Sequence, residues 1–257
     1  MKRPTLSVIL ALFWFNLQDM HRHRHSHKLL NTLSWGIGLL LFMLAWAWMG
    51  ASNRNNSVAG NWRVASSAAG ADSGKFVGSL SITPLDESFA LLWNTPAGDN
   101  KGIGIQMDTL LAAAWGLDDK SYAVAIYSPQ PNGNWTGLTT HNQAEGTTGT
   151  ERIAGMDLDR ASGTYELSGT EAGPFGLTYQ GQLILNRQGD YYEARYWTGD
   201  SVRKAIGFRA GTRLVVVSSE GEKFGAALYT FNRNYSRAQG VWALYGSSRV
   251  NVEYLRR

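Results

Sequence analysis

The chain has 257 residues, no cysteine, 12% aromatic residues and a formal charge of +4. Without cysteine it holds no disulfide, no thiolate metal site and no cysteine nucleophile. The positive charge sits at the N-terminus: residues 52–257 carry 19 basic and 19 acidic residues, too balanced for the strong positive field of nucleic-acid binding, so no nucleic-acid partner is expected.

Residues 1–28 form a basic, His-rich N-terminal region. An apolar run from Thr5 to Leu17 is short for a membrane span. His21, His23, His25 and His27 alternate with Arg22, Arg24 and Ser26. Imidazoles at this spacing suit a transition metal, but no carboxylate follows to complete a site. The tract reads as a cytoplasmic flank that sets topology, and no metal or cofactor is expected.

Residues 29–51 contain no charged side chain. As a hydrophobic helix this stretch is long enough to cross a hydrocarbon core of about 30 Å. Basic residues precede it, so the positive-inside rule keeps the N-terminus in the cytoplasm and exports the rest of the chain. It is a transmembrane signal anchor or a signal peptide. Trp46 and Trp48 suit the interfacial belt of an anchor, whereas Ala45, Ala47, Gly50 and Ala51 supply small residues for cleavage. The expected location is membrane-anchored with the remainder extracytoplasmic (periplasmic or cell surface), or secreted after cleavage. A second reading starts translation at Met20, and a third, with both apolar runs crossing, leaves the remainder cytoplasmic.

Beyond residue 51 the sequence is written twice. With an offset of 103 residues, Gly60-Asn61-Trp62 falls on Gly163-Thr164-Tyr165, Phe76 on Tyr179, Leu80 on Leu183, Phe89 on Tyr192, Trp93 on Tyr196, Leu111 on Leu214 and Gly137 on Gly240. With one residue dropped, Tyr127 meets Tyr229 and Glu151 meets Glu253. The repeats span 58–153 and 161–255, each the size of one domain. Met156 to Arg160 reads as a short polar linker.

Each repeat reads as about eight short strands. Alternation dominates in Trp62 to Val64, Phe76 to Ile82, Phe89 to Trp93, Gly102 to Ile105, Tyr122 to Tyr127, Trp135 to Thr139 and Thr150 to Ile153, and the second repeat shows the same pattern. Leu110 to Trp115 has helical propensity, but its β-branched counterpart Arg213-Leu214-Val215-Val216-Val217 decides for strand. Gly, Asn and Asp turns separate the strands. The expected fold class is all-β: two tandem up-and-down antiparallel meander barrels, one per repeat, after the N-terminal hydrophobic helix. Closure removes the exposed edges.

Gly60-x-Trp62 on the first strand of an eight-stranded meander resembles the lipocalin and avidin-type (calycin) barrels, and Gly163-x-Tyr165 is a degenerate match. The resemblance implies that the aromatic plugs one barrel end and, as in lipocalins, that a late arginine packs over it; Arg152 and Arg256 are the candidates. The lipocalin disulfides and a recognisable set of biotin contacts are absent from the sequence.

The candidate ligand-binding residues are the matched aromatics Trp62, Phe76, Phe89, Trp93, Tyr165, Tyr179, Tyr192 and Tyr196, with the repeated acids Glu151 and Glu253. Pointing inward, these carboxylates would be partly buried ligand contacts with raised pKa; pointing outward, they would pair with Arg63 or Arg152 or meet solvent. The aromatics fill a core or line a lumen. His141 is the sole histidine after residue 51, no nucleophile elbow accompanies it, and no catalytic residue is assigned. The expectation is a non-catalytic binding protein for a small apolar or amphiphilic ligand or an envelope partner. The alternative is a structural or adhesion module of the cell envelope with solid barrels.

Overall fold

A computed structural model describes residues 57–66, 77–96, 98–160, 162–199, 201–247 and 249–257. The N-terminal region 1–28, the apolar stretch 29–51 and Phe76 lie outside the described residues.

Among the described residues sixteen strands form. The first repeat gives β1 (Gly60–Ser66), β2 (Gly78–Pro84), β3 (Phe89–Thr95), β4 (Gly98–Met107), β5 (Leu110–Gly116), β6 (Tyr122–Pro129), β7 (Trp135–His141) and β8 (Gly149–Ile153). The second gives β9 (Ser162–Thr170), β10 (Thr178–Gln188), β11 (Tyr191–Thr198), β12 (Ser201–Ala210), β13 (Arg213–Ser219), β14 (Phe224–Phe231), β15 (Arg237–Leu244) and β16 (Asn251–Arg256). The described residues are all-β, with two closed eight-stranded antiparallel barrels.

Neither barrel is a single repeat. Barrel A is β1 to β5 closed by β14, β15 and β16, and barrel B is β9 to β13 closed by β6, β7 and β8. Each repeat keeps its first five strands and gives its last three to the other barrel. The expected division into one barrel at 58–153 and another at 161–255 is corrected by this exchange. Short connections were expected to fold each strand back on its predecessor. At two places they do not: β5 pairs with β14, and β6 pairs with β13.

The reason lies in the outer faces of these strands. The two crossing connections run side by side, with Leu117 N–H donating to the Lys223 carbonyl at 2.8 Å and Glu220 N–H to the Ser121 carbonyl at 3.0 Å. Below them Ile103, Ile105, Ala112, Ala114, Val124, Ile126, Ile206, Phe208, Val215, Val217, Phe224, Ala226 and Leu228 form one buried cluster between the barrels. β5 and β13 are therefore buried on both faces, which is why they read as continuous apolar runs rather than alternating ones. Full burial of each Ile, Val or Phe here contributes roughly 1.5–3 kcal/mol.

Each barrel also has its own apolar core. In barrel A, Leu80, Ile82, Leu91, Leu111 and Leu255 pack around Trp62. In barrel B, Leu167, Leu183, Leu185, Leu214 and Val216 do the same around Tyr192 and Trp135. The expected linker is structural: Met156 and Leu158 are buried in the base of barrel B, and Trp135 Nε1–H donates to the Met156 carbonyl at 2.8 Å.

Candidate functional site

Inward-facing positions on β6, β8, β10 and β11 converge on one carboxylate. Glu151 on β8 is 7% exposed. It lies opposite Gly137 on β7 and Gly169 on β9. A side chain at Gly137 would run into the Tyr127 ring, and one at Gly169 would fall 2.8 Å from the Tyr179 hydroxyl. The two glycines thus clear the path by which Tyr127 and Tyr179 reach the acid. Both phenols donate to Glu151, one to each oxygen, and the hydroxyls of Tyr127 and Tyr196 meet at 2.5 Å. Because the Tyr127 hydroxyl donates to Glu151, Tyr196 donates to Tyr127. The order is Tyr196 to Tyr127 to Glu151, with Tyr179 joining from the other side.

Burial pushes the Glu151 carboxyl above its ordinary value, against the hydrogen bonds from Tyr127 and Tyr179 and the charge of Arg203. Burial and the neighbouring acid push the Tyr127, Tyr179 and Tyr196 hydroxyls upward, so all three stay protonated donors.

Barrel A holds the counterpart. Tyr229 on β14 donates to Glu253 on β16, and Trp93 Nε1–H donates to the Tyr229 hydroxyl at 2.9 Å. Gly240 makes the same room that Gly137 makes, since a side chain there would lie 2.5 Å from the Tyr229 ring. Burial raises the Glu253 carboxyl too, opposed by the Tyr229 hydrogen bond. Through the exchange each cluster draws on both repeats: Glu151 and Tyr127 come from the first and Tyr179 and Tyr196 from the second, while Trp93 comes from the first and Tyr229 and Glu253 from the second.

The two clusters differ in the side chains above them. In barrel A, Trp115 packs on Trp93 at 5.2 Å between ring centroids and on Trp242 at 6.4 Å. The Trp115 indole occupies the space over Gly225, where any side chain would collide with it. By the repeat, Trp115 corresponds to Ser218, Gly225 to Ala123 and Trp242 to Thr139. Barrel B therefore has no indole at these positions, and a cavity of about 320 Å³ opens there. Glu151, Tyr179 and Tyr196 line it together with Ser218 and Thr139, and Arg203, Glu220, Glu171 and His141 also border it. Arg203 bonds Glu220 at 2.9 Å. The Gln143 N–H donates to His141 Nδ1 at 3.3 Å, so Nε2–H donates to the Ala172 carbonyl at 3.2 Å. Both ring nitrogens of His141 are thereby engaged. A larger depression of about 870 Å³ lies against the β7 to β10 sheet, bordered by the outward residues Thr136, Thr150, Arg152, Thr178 and Gln180 and also by Gly137, Glu151, Gly169 and Tyr179.

Of the candidate residues, Glu151, Tyr179 and Tyr196 meet at the cavity, and Trp93 meets Glu253 through Tyr229. The others lie elsewhere. Trp62 plugs the base of barrel A, its Nε1–H on the Val58 carbonyl at 2.9 Å. Phe89 packs half-buried against the same core. In barrel B, Tyr165 and Tyr192 donate to the backbone carbonyls of Asp157 and Leu158. The arginine over the plug is Arg257, 4.4 Å from the Trp62 ring centre, and it also donates to the Ser57 and Ala59 carbonyls at 2.6 and 2.5 Å. This corrects the expectation for Arg256 and Arg152, both of which are exposed on outward positions. The acids pair with tyrosines, not with Arg63 or Arg152. The candidate set omitted Tyr127 and Tyr229, although their recurrence at the same shifted offset as the two acids was a signal that each tyrosine travels with its glutamate.

No family model, curated protein or solved structure matches the chain. Fold and site define a two-barrel all-β protein with one closed interior and one open one.

Proposed function

We propose that the protein is a non-catalytic binding protein, exported or membrane-anchored through residues 29–51, that holds a small ligand in barrel B and uses barrel A as a solid brace. One observation carries this reading: two barrels with the same carboxylate–tyrosine core differ at the mouth, where Trp115 and Trp242 fill barrel A and Ser218 and Thr139 leave about 320 Å³ in barrel B. That volume is at the lower end of small-molecule sites. The polar lining narrows the apolar or amphiphilic ligand expected from the aromatics to one with a polar group at Glu151. A relationship to the lipocalin and avidin barrels supports the same reading, and the stacking of Arg257 on Trp62 favours that relationship.

A second reading, a structural or adhesion module or a protein that docks an envelope partner, draws on exposed apolar side chains. Phe175 is 85% and Leu177 is 61% exposed on the β9 to β10 connection, and Trp197 and Val202 are half exposed on β11 and β12.

Native mass spectrometry of the full chain purified from its host separates the two. The binding reading expects a co-purifying small molecule on the wild type and none on the double variant Ala123→Gly, Ser218→Trp, which rebuilds the barrel A plug in barrel B. Bare protein in both preparations would contradict it and leave the envelope module.

A further inference from the structure

Resting on the reading that barrel B holds a ligand, we propose that the ligand is a small organic cation, an amine or quaternary ammonium, whose positive charge sits beside Glu151 among Tyr127, Tyr179 and Tyr196. The charge balance of the cavity points there. Its lining has three carboxylates, Glu151, Glu171 and Glu220, against one guanidinium, Arg203. Arg203 is bonded to Glu220, so those two charges offset one another. Apart from His141, whose two ring nitrogens are engaged with Ala172 and Gln143, Glu151 and Glu171 have no other basic group among the lining residues. Of the two, Glu151 is the buried one, and every direct hydrogen-bond partner it has is a neutral phenol.

A buried carboxylate without a cation in contact is costly unless its charge is compensated. A ligand that brings a positive charge removes that cost, whereas an anion adds to it and a neutral molecule leaves it standing. Phenol rings suit the same guest, because a cation is attracted to an aromatic face within about 6 Å of its centre. Barrel A gives the contrast. There Glu253 is bonded to Tyr229, which accepts from Trp93, and Trp115 packs on Trp93. In barrel B a cavity reaches Glu151.

Cation binding and proton binding then compete at Glu151. Burial raises its carboxyl, and a bound cation lowers it again, so occupancy falls as pH drops through the carboxyl's range. The charged and titratable groups that face Glu151 are Tyr127, Tyr179, Tyr196 and Arg203, with Glu171, Glu220 and His141 bordering the cavity. The tyrosines, pushed upward by burial and by Glu151, keep their protons throughout this range.

Calorimetric titration of the full chain with choline and putrescine tests the proposal, with 3,3-dimethyl-1-butanol as the uncharged isostere of choline and glucose as a neutral polyol. At least one cation is expected to bind ten-fold or more tightly than either neutral probe. Glu151→Gln should weaken the cation at least ten-fold and leave the neutral probes unchanged. Glu171→Gln, at the border of the cavity, should weaken it several-fold, and this variant serves if Glu151→Gln fails to fold. Titration in two buffers of different ionisation enthalpy should report proton release on binding. Neutral probes binding as tightly as the cations, or cation binding unaffected by both substitutions, would overturn the cation while a ligand found by native mass spectrometry would still stand. Failure of every probe would also overturn it. The cavity reading itself fails only if the wild type and the plugged double variant both carry nothing from the host.

Discussion

Trp115 and Ser218 hold the same position on the fifth strand of their repeats, yet the first fills the mouth of barrel A and the second opens that of barrel B. Trp115 is 8% exposed, packed on Trp93 and Trp242 over the bare backbone of Gly225. The difference between a solid barrel and a hollow one thus comes down to a few side chains on a shared frame.

Removing that ring should be costly and local. Trp115→Ser deletes an indole from a packed stack, and Gly225 has no side chain to close the gap. We expect a loss of about 3–5 kcal/mol, read from urea unfolding, with the far-ultraviolet spectrum unchanged. A loss below about 1 kcal/mol would mean that the indole is not buried as described.

The buried acids give the protein a characteristic pH dependence. Folding raises the Glu253 carboxyl above its ordinary value of 4.5, chiefly through burial. A raised carboxyl binds its proton more tightly in the folded state. Its contribution to stability is therefore complete below the ordinary value and is lost as pH rises through the folded one. Glu253→Gln keeps an acceptor for Tyr229 and has no proton to lose. Its melting temperature should match the wild type near pH 4 and exceed it increasingly towards pH 8. Parallel curves across that range would show that Glu253 is not buried in the folded state.

The end of β16 meets the start of β1 at Arg257. Its guanidinium carbon lies over the Trp62 ring, 4.4 Å from its centre, while the group bonds two carbonyls next to β1. Arg257→Ala should cost about 1 kcal/mol, the scale of an exposed cation–π contact. Arg257→Lys should recover less than half, since an ammonium lacks the planar fork. Chemical denaturation of the two variants measures this, and equal stability of all three proteins would remove the contact from the account.

Much of this architecture was legible in the residues. The repeat offset and the alternation in Phe89, Leu91 and Trp93 fixed the strands, and Gly60-x-Trp62 located the plug. The exchange left a fainter trace. Continuous apolar runs at Leu110 to Trp115 and Leu214 to Val217 mark strands buried on both faces, which a lone barrel exposed to solvent would not need. The packing partner of those runs was open, because a five-strand set can close with its own last three strands or with another's by the same hydrogen bonds. The site obeyed the same rule. Glu151 was visible, but its companions Tyr179 and Tyr196 lie in the other repeat, and only the exchange brings them to it. The cavity hid in the comparison of Trp115 with Ser218 and Trp242 with Thr139, positions where the repeat fails to match.

Everything at the Glu151 site depends on strands crossing between repeats, and the absence of cysteine from the chain makes that crossing directly testable. Arg63 on β1 is opposite Arg256 on β16, within the range that a disulfide can bridge between neighbouring strands. The barrel-per-repeat alternative would instead place Ala154, the repeat counterpart of Arg256, beside Arg63. Non-reducing peptide mapping of Arg63→Cys, Arg256→Cys and of Arg63→Cys, Ala154→Cys after mild oxidation decides between them. Exchange predicts a complete intramolecular disulfide in the first pair and none in the second; the reverse pattern would contradict it.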